Sequence, residues 1–530
     1  MSTFSNAIAN WLNNYQQVLA GRQQKITGPT IEVSDAAGKL AFIYEKIRTT
    51  VDYKDDHLLR KHAIARMLKR LAAPGAKGST LALPLVEELI RARYLPNKTI
   101  LNMAVGQVCH AINKYIVIYN SAIDKNYNSR ELRKFYDWLI HLAACEIEEI
   151  LVPARENLIT IDAMHRVVRQ NIILDGNSGL DQIGQNIQVY IAVLKSLIKA
   201  DDMTVNYFLL KYYFPDWQNL TLSQVEKLAG QIWQTKYLIQ AHNVYHLNEK
   251  LTHEFKKYAV IFWILQEIIS QNRQQFQNIF ASRERLTEEI KKICHKKYKN
   301  IGKKVRTAIV RSVIYIFLTK MIFGLLLEFP YDYFLLAKVQ WLPLSINALF
   351  PPLLMAAIGM SIRTPKEDNT QAIIAEVDNI VYCSQGKEHR IKIRQPKHGF
   401  GFYLSRIIYA ILYLISFGLV IYGLAQLLFS FVSMIIFIFF LTMVSFFSLR
   451  IRKNAVELII LEQRERFLTV IFTFLAIPVL RVGRWISVHS SKINVFIFML
   501  DFFIETPFKI FVRIFEDLVV FVKEKRDELL

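Results

Sequence analysis

Hydrophobic and polar positions change rhythm along the chain. From about residue 34 to residue 300, apolar residues recur at helical spacing with little strand alternation. The pattern is interrupted at Ser34-Asp35, Pro74-Gly75, Pro96-Asn97, Pro153 and Pro215, residue types that cap or break helices. It predicts roughly eight to ten helices, a normal number for an all-α domain of this length. Beyond residue 312 the polar positions thin out. SVIYIFLTKMIFGLLLEF is broken only by Lys320 before Glu328, and WLPLSINALFPPLLMAAIGMSI carries no charge but should kink at Pro351 and Pro352. Between Arg406 and Arg450 lie 43 uncharged residues. At about 20 residues per span, this run makes two transmembrane helices with a tight turn near residues 426–430.

The remaining segments read differently. In AIIAEVDNIVYCSQGKEHRIKIRQ, short runs flank Ser384-Gln385-Gly386-Lys387, and residues 389–394 alternate, which predicts a small β-hairpin. FLTVIFTFLAIPVL (467–480) is short for a span and reads as interfacial or re-entrant. After Pro507, Phe508, Phe511, Val512, Phe515, Leu518, Val519 and Val522 fall opposite Lys509, Arg513, Glu516, Asp517 and Lys523. That spacing describes an amphipathic helix suited to a membrane surface.

The resulting fold class is all-α: a helical cytoplasmic domain, a four-span helical membrane domain with a β-hairpin loop, and a C-terminal amphipathic helix. The expected order is a polar N-terminal arm over 1–30, the helical domain over 31–300, and spans one and two over 301–362. A cytoplasmic loop over 363–404, the hairpin of spans three and four over 405–450, and an interfacial tail over 451–530 complete it.

Charge orients this arrangement. Residues 1–290 carry 34 Lys/Arg against 28 Asp/Glu, whereas 291–311 alone carry nine basic residues and no acid. They are Lys291, Lys292, Lys296, Lys297, Lys299, Lys303, Lys304, Arg306 and Arg311. A nucleic-acid surface would interleave aromatics with basic charge, and this run has only Tyr298. Its place at the edge of an apolar segment instead predicts a cytoplasmic anchor facing anionic lipid headgroups. Eight more basic residues lie between spans two and three, and Arg450, Arg452 and Lys453 close the fourth span, while only Lys338 lies between spans one and two. The positive-inside rule then puts both termini in the cytoplasm of a multi-pass plasma-membrane protein. MSTFSNAIANWLNNYQQ lacks the basic and apolar regions of a secretory signal. Cys109, Cys145, Cys294 and Cys383 all fall on the predicted cytoplasmic side and show no zinc-ligand spacing.

Candidate chemistry is sparse. His242, His246, Glu249 and His253 would share one face of a continuous helix, and a subset such as His242 and His246 could bind a divalent metal with ligands from elsewhere. Glu146, Glu149, Asp162 and His165 suggest a carboxylate metal bundle but lack its paired Glu-x-x-His motifs. GAKGST has phosphate-loop residues in the wrong order and reads as a turn and helix cap. His62, Arg66 and Arg70 line up at i, i+4, i+8, either as a solvated face or as a hold for an anionic partner. The aromatic stretch NYFLLKYYFPDW suits core packing or a partner anchor. Within the spans, Lys320, Glu328 and Asp332 stand out because intramembrane charge is costly. On an ideal helix Lys320 and Glu328 are about 80° apart, which predicts snorkelling anchors rather than a direct pair.

YKDDHLLRKHAIARMLKR, LPLVEELIRARYLPN and the tail RVGRWIS with INVFIFMLDFFIETPFKIF resemble a group of uncharacterised multi-helix membrane proteins of candidate-phyla, small-genome bacteria. The resemblance implies a bacterial plasma membrane and carries no functional residue over. The leading expectation is a non-enzymatic scaffold or binding module that presents its helical domain to a cytoplasmic protein partner, alone or as a homo-oligomer. No cofactor is expected. The second expectation is a small-solute or ion transporter component using Lys320 and Glu328, with Asn347 and the Pro351-Pro352 kink shaping a path. A metal-dependent membrane enzyme at His242 and His246 is the third.

Overall fold

The computed structural model describes residues 5–23, 28–33, 56–72, 75–124, 128–175, 179–334, 340–362, 364–382, 389–392, 400–461 and 467–492. The described residues divide into two compact units, one within 6–173 and 180–259 and the other within 260–492, together with residues 5, 174, 175 and 179.

The first unit is helical. It contains α1 (Asn6–Gln23), α2 (Asp56–Leu71), α3 (Gly78–Arg91), α4 (Asn102–Asp124), α5 (Ser129–Leu151), α6 (Arg155–Asn171), α7 (Gln182–Leu197), α8 (Asp202–Tyr213), α9 (Leu222–Val244) and the start of α10 (Leu247–Gln271). Their starts are chemically specified. Asn128 accepts from Arg130 N at 3.1 Å, Asp181 from Gly184 N at 2.8 Å and Asp201 from Thr204 N at 2.9 Å, each satisfying a free first-turn donor. Thr221 and Gln224 form a reciprocal capping box on α9. The core interleaves α4 with α3, α5 and α9, and α5 with α2 and α8. The opening stretch is not a polar arm. Ala7, Ile8, Trp11, Leu12 and Tyr15 of α1 are buried against α6, and Trp11 Nε1 donates to Thr160 Oγ1 at 3.1 Å. The apolar residues of 1–30 are few, but i, i+3, i+4 spacing places them on one face.

The second unit holds four helices long and apolar enough to cross a membrane. The first is a 52-residue run, Arg283–Phe334. It comprises α12 (Arg283–Phe323), one π-helical turn (Gly324–Glu328) and α13 (Phe329–Phe334), preceded by the short α11 (Phe276–Ala281). Then follow α14 (Trp341–Met360), α15 (Glu367–Val381), α16 (Phe400–Gln426), α17 (Phe431–Ala455) and α18 (Phe467–Lys492). Apolar side chains such as Ile314, Leu318 and Ile322 of α12 and Leu414 and Leu419 of α16 are exposed. An apolar surface of this extent suits lipid rather than water.

Close packing inside this unit uses small residues. A Cβ on Gly359 of α14 would meet Ile309 Cγ2 of α12 at 2.7 Å, and one on Gly483 of α18 would collide with the Thr442 carbonyl of α17. Helices in lipid gain association through such close approach. The turn between α16 and α17 is tight, as the sequence predicts: Leu428 takes a left-handed φ of 60°, and Phe429 N donates to Leu424 O at 3.1 Å.

One local expectation changes. Residues 372–381, read as the first arm of a β-hairpin, belong to α15, where Ile373, Val377, Ile380 and Val381 are buried at helical spacing. The strand β2 (His389–Lys392) of that loop instead shares a two-stranded sheet with β1 (Ile172–Asp175). The 467–480 run forms the start of α18, which packs on α16 and α17, with Ser416 Oγ donating to Leu475 O at 2.9 Å. The amphipathic segment after Pro507 lies outside the described residues.

Candidate functional site: ionic clusters in the spans and in the helical unit

Lys320 and Glu328 form a direct ion pair. Lys320 Nζ lies 2.8 Å from Glu328 Oε1, and both side chains are 1% exposed. This corrects the sequence expectation, and the π-helical turn between them supplies the reason. An i→i+5 turn holds one residue more than an α turn. Each residue in it therefore advances less around the axis, and Glu328 rotates back onto the Lys320 face. Nothing in the hydropathy pattern marks that insertion.

Two other spans complete the cluster. Asn347 Nδ2 of α14 donates to Glu328 Oε2 at 2.9 Å and to the Ser433 carbonyl of α17 at 3.1 Å. Lys320 Nζ also stands 4.6 Å from the centroid of the Phe440 ring of α17, a cation–π geometry. Asp332 is 2% exposed, and its Oδ1 and the Asn347 Oδ1 are buried without a hydrogen-bond partner.

The basic run lies on α12 just before the spanning part. Lys291, Lys292, Lys296, Lys299, Lys303, Lys304, Arg306 and Arg311 are exposed, whereas Lys297 is half-buried and paired with Glu267 at 3.4 Å. Lys292 reaches Glu289 at 2.7 Å. Ile293, Cys294 and Val305 point inward, so the run has one apolar and one cationic side.

In the helical unit the proposed metal face is interrupted. His242 ends α9 and His246 lies in the break before α10, because α9 stops at Val244 and α10 begins at Leu247. His246, Glu249 and His253 therefore do not continue the face of His242. The His242 carbonyl is taken by Gln188 at 3.0 Å and Asn248 at 2.8 Å. Among the described residues no three His, Cys, Asp or Glu side chains converge as a metal site. This also covers Glu146, Glu149, Asp162 and His165.

Glu146 instead anchors a buried ionic network. It accepts from Lys114 Nζ at 2.5 Å, Tyr115 OH at 2.8 Å and Trp217 Nε1 at 2.9 Å, while Lys114 also donates to Trp217 O at 2.9 Å. Burial raises the Tyr115 phenol well above its ordinary value, and the Glu146 charge raises it further. Glu149 accepts from Tyr207 OH at 2.7 Å and pairs with Lys211 at 2.9 Å. Tyr207 and Trp217 of the aromatic stretch thus pack inside, whereas Tyr212 is exposed. Lys114 could have been noticed in the sequence, since it falls at the i+3 position of Ala111 on the apolar face of α4.

A second ionic group joins α2 to α8. Asp201 bonds Lys61 Nζ, and its Oδ2 lies 3.3 Å from His62 Nε2. Burial alone would raise the Asp201 carboxyl. The His62 hydrogen bond, the Lys61 charge and hydrogen bond, and the Thr204 hydroxyl reverse that and hold it below the usual carboxylate range. A depressed folded-state value stabilises the fold above the unfolded carboxylate pKa of about 4, and the contribution is lost as pH falls below that. Asp201→Asn should cost about 2 kcal/mol at neutral pH and flatten the acid limb of stability against pH. Near-UV circular dichroism melts at stepped pH would check this.

Next to this group opens a cavity of about 230 Å³, lined by His62, Ala65, Arg66 and Lys69 of α2 and Asp137, Ile140 and His141 of α5. It absorbs part of the basic face that the sequence marks at His62, Arg66 and Arg70, with Arg70 turned instead to Glu88.

No protein-family model, curated protein or solved structure matches the chain.

Proposed function

We propose that the chain is a membrane-anchored, non-enzymatic binding module, with the helical unit as its working part. The observation that carries this is the sealed state of the Lys320–Glu328 pair. Lys320 and Glu328 neutralise one another at 1% exposure, and Asn347 fastens the pair to two further spans. Charges that line a permeation path stay open to water or a cavity. Charges paired and hydrogen-bonded on all sides hold helices in register.

The basic side of α12 meets anionic headgroups at the cytoplasmic face, and both termini lie in the cytoplasm of a bacterial plasma membrane. The helical unit faces a cytoplasmic partner there. The second reading, small-ion transport, draws on the buried Oδ1 atoms of Asp332 and Asn347, which have no hydrogen-bond partner and could receive a cation.

Proteoliposomes separate the two. The anchor reading predicts no protein-dependent flux of protons, sodium or potassium above empty vesicles, with Glu328→Gln indistinguishable from the parent chain. A saturable, protein-dependent flux of the parent chain would establish transport instead.

A further inference from the structure

The stretch of α12 before its spanning part carries charge that its own unit does not use. Lys296, Lys299 and Lys303 are exposed, and Lys292 and Arg306 continue their line in either direction. At 3.6 residues per turn these five fall within an arc of about 80°, opposite the side that buries Ile290, Ile293, Cys294 and Val305. Lys292 is paired with Glu289 at 2.7 Å. Lys296 is within electrostatic reach of Glu267, a carboxylate that already holds Gln271 at 2.6 Å and Lys297 at 3.4 Å. Lys299, Lys303 and Arg306 have no ion pair or hydrogen bond among the described residues.

Cations at i, i+3 and i+4 repel and oppose the helix, and such contacts follow one another here from Lys292 to Arg306. Headgroups relieve only the lower end. In the proposed topology the bilayer begins near Ser312, which leaves Lys303 about 14 Å, Lys299 about 20 Å and Lys296 about 24 Å away along the axis. A leaflet's headgroup layer is about 5–8 Å deep, and charge is screened over about 8 Å. Even a tilt of about 40° keeps Lys296 about 18 Å from the apolar edge. No proline or π turn within α12 bends it toward the surface.

We propose that Lys296, Lys299 and Lys303 form a docking face for an acidic α-helix of a partner protein, laid along α12. Two helices pack with axes about 8–10 Å apart. Glu or Asp at i, i+3 or i+4, and i+7 of the partner then meets these cations turn by turn, as the charges flanking a coiled-coil seam do. A nucleic acid suits the face less well. No Phe, Tyr or Trp stands on it for bases to stack on, since Tyr298 is turned away and its hydroxyl accepts from Asn369 Nδ2 at 2.9 Å. All three cations are lysines, whereas phosphate recognition favours arginine. A second copy of this chain would bring the same cations to the face and be repelled.

This deepens the binding-module reading by naming the partner's chemistry, and its failure leaves the flux result, which decides that reading, untouched. The full chain in phosphatidylcholine nanodiscs is titrated, by fluorescence anisotropy, with a labelled alanine-rich helical peptide carrying glutamates along one face. A control peptide has the same residues reordered so that the glutamates surround the helix. Saturable binding is expected for the first, about ten-fold or more tighter than for the second. Lys296→Gln with Lys299→Gln should weaken it about ten-fold, the worth of two exposed ion pairs. Lys304→Gln with Arg311→Gln removes the same charge from outside the face and should leave binding unchanged. Equal affinity for the two peptides, or equal losses from the two double variants, would overturn the proposal. So would a short RNA duplex that binds more tightly than the one-faced peptide and is weakened by Lys296→Gln with Lys299→Gln, which would assign the face to nucleic acid.

Discussion

Glu146→Gln will destabilise the helical unit by about 3–5 kcal/mol, the cost of leaving one partner of a buried ion pair uncompensated. The substitution keeps the shape and the amide can still accept from Tyr115 and Trp217, so the loss isolates the charge. Lys114 is fully buried and donates to Glu146 and to the Trp217 carbonyl. Adding Lys114→Met to Glu146→Gln should recover most of the stability, since a neutral pair carries no Born penalty. Denaturant unfolding followed by Trp fluorescence would measure both. A single-variant loss under about 1 kcal/mol would mean that the network contributes little beyond packing.

The second large effect lies in the spans. Lys320→Met or Glu328→Gln alone strands one buried charge between apolar helices, and each should cost about 3–5 kcal/mol. The pair Lys320→Met with Glu328→Gln should cost much less, because no charge remains and the amide still accepts from Asn347. The coupling energy from this double-mutant cycle should therefore exceed about 3 kcal/mol, above the usual range for contacting residues. Thermal unfolding of detergent-solubilised protein gives the four corners of the cycle. Additive effects would show that the two groups act separately, as the snorkelling picture from sequence implies.

Much of the architecture was legible because it follows from composition and period. Forty-three uncharged residues between Arg406 and Arg450 can only be placed in lipid as two helices with a turn, and α16 and α17 follow with Leu428 at the bend. The helical unit was legible through its breakers, such as Pro153 between α5 and α6 and Pro215 after α8. What escaped reading depends on single-residue register. One π turn moved Glu328 onto the Lys320 face, and a break of two residues at Tyr245 and His246 dispersed a histidine row. Periodicity averaged over a window does not resolve either. The polar look of residues 1–30 misled for another reason: five buried side chains suffice to dock α1, and they are outnumbered by Asn and Gln on its outer face. Long-range partners such as Lys114 with Glu146 and Lys61 with Asp201 are set by tertiary packing, and a lone cation in an apolar stripe was the one available signal.

The topology we propose has four membrane crossings, with the helical unit on the cytoplasmic side. The direct test places single cysteines at Leu428, exposed in the turn between α16 and α17, and at Glu367, exposed at the start of α15, in a chain otherwise free of cysteine. Spheroplasts are treated with a membrane-impermeant thiol reagent before and after lysis. Labelling of Leu428→Cys in intact spheroplasts, with Glu367→Cys reacting only after lysis, is the predicted result. The reverse pattern, or equal labelling of both positions without lysis, would contradict it.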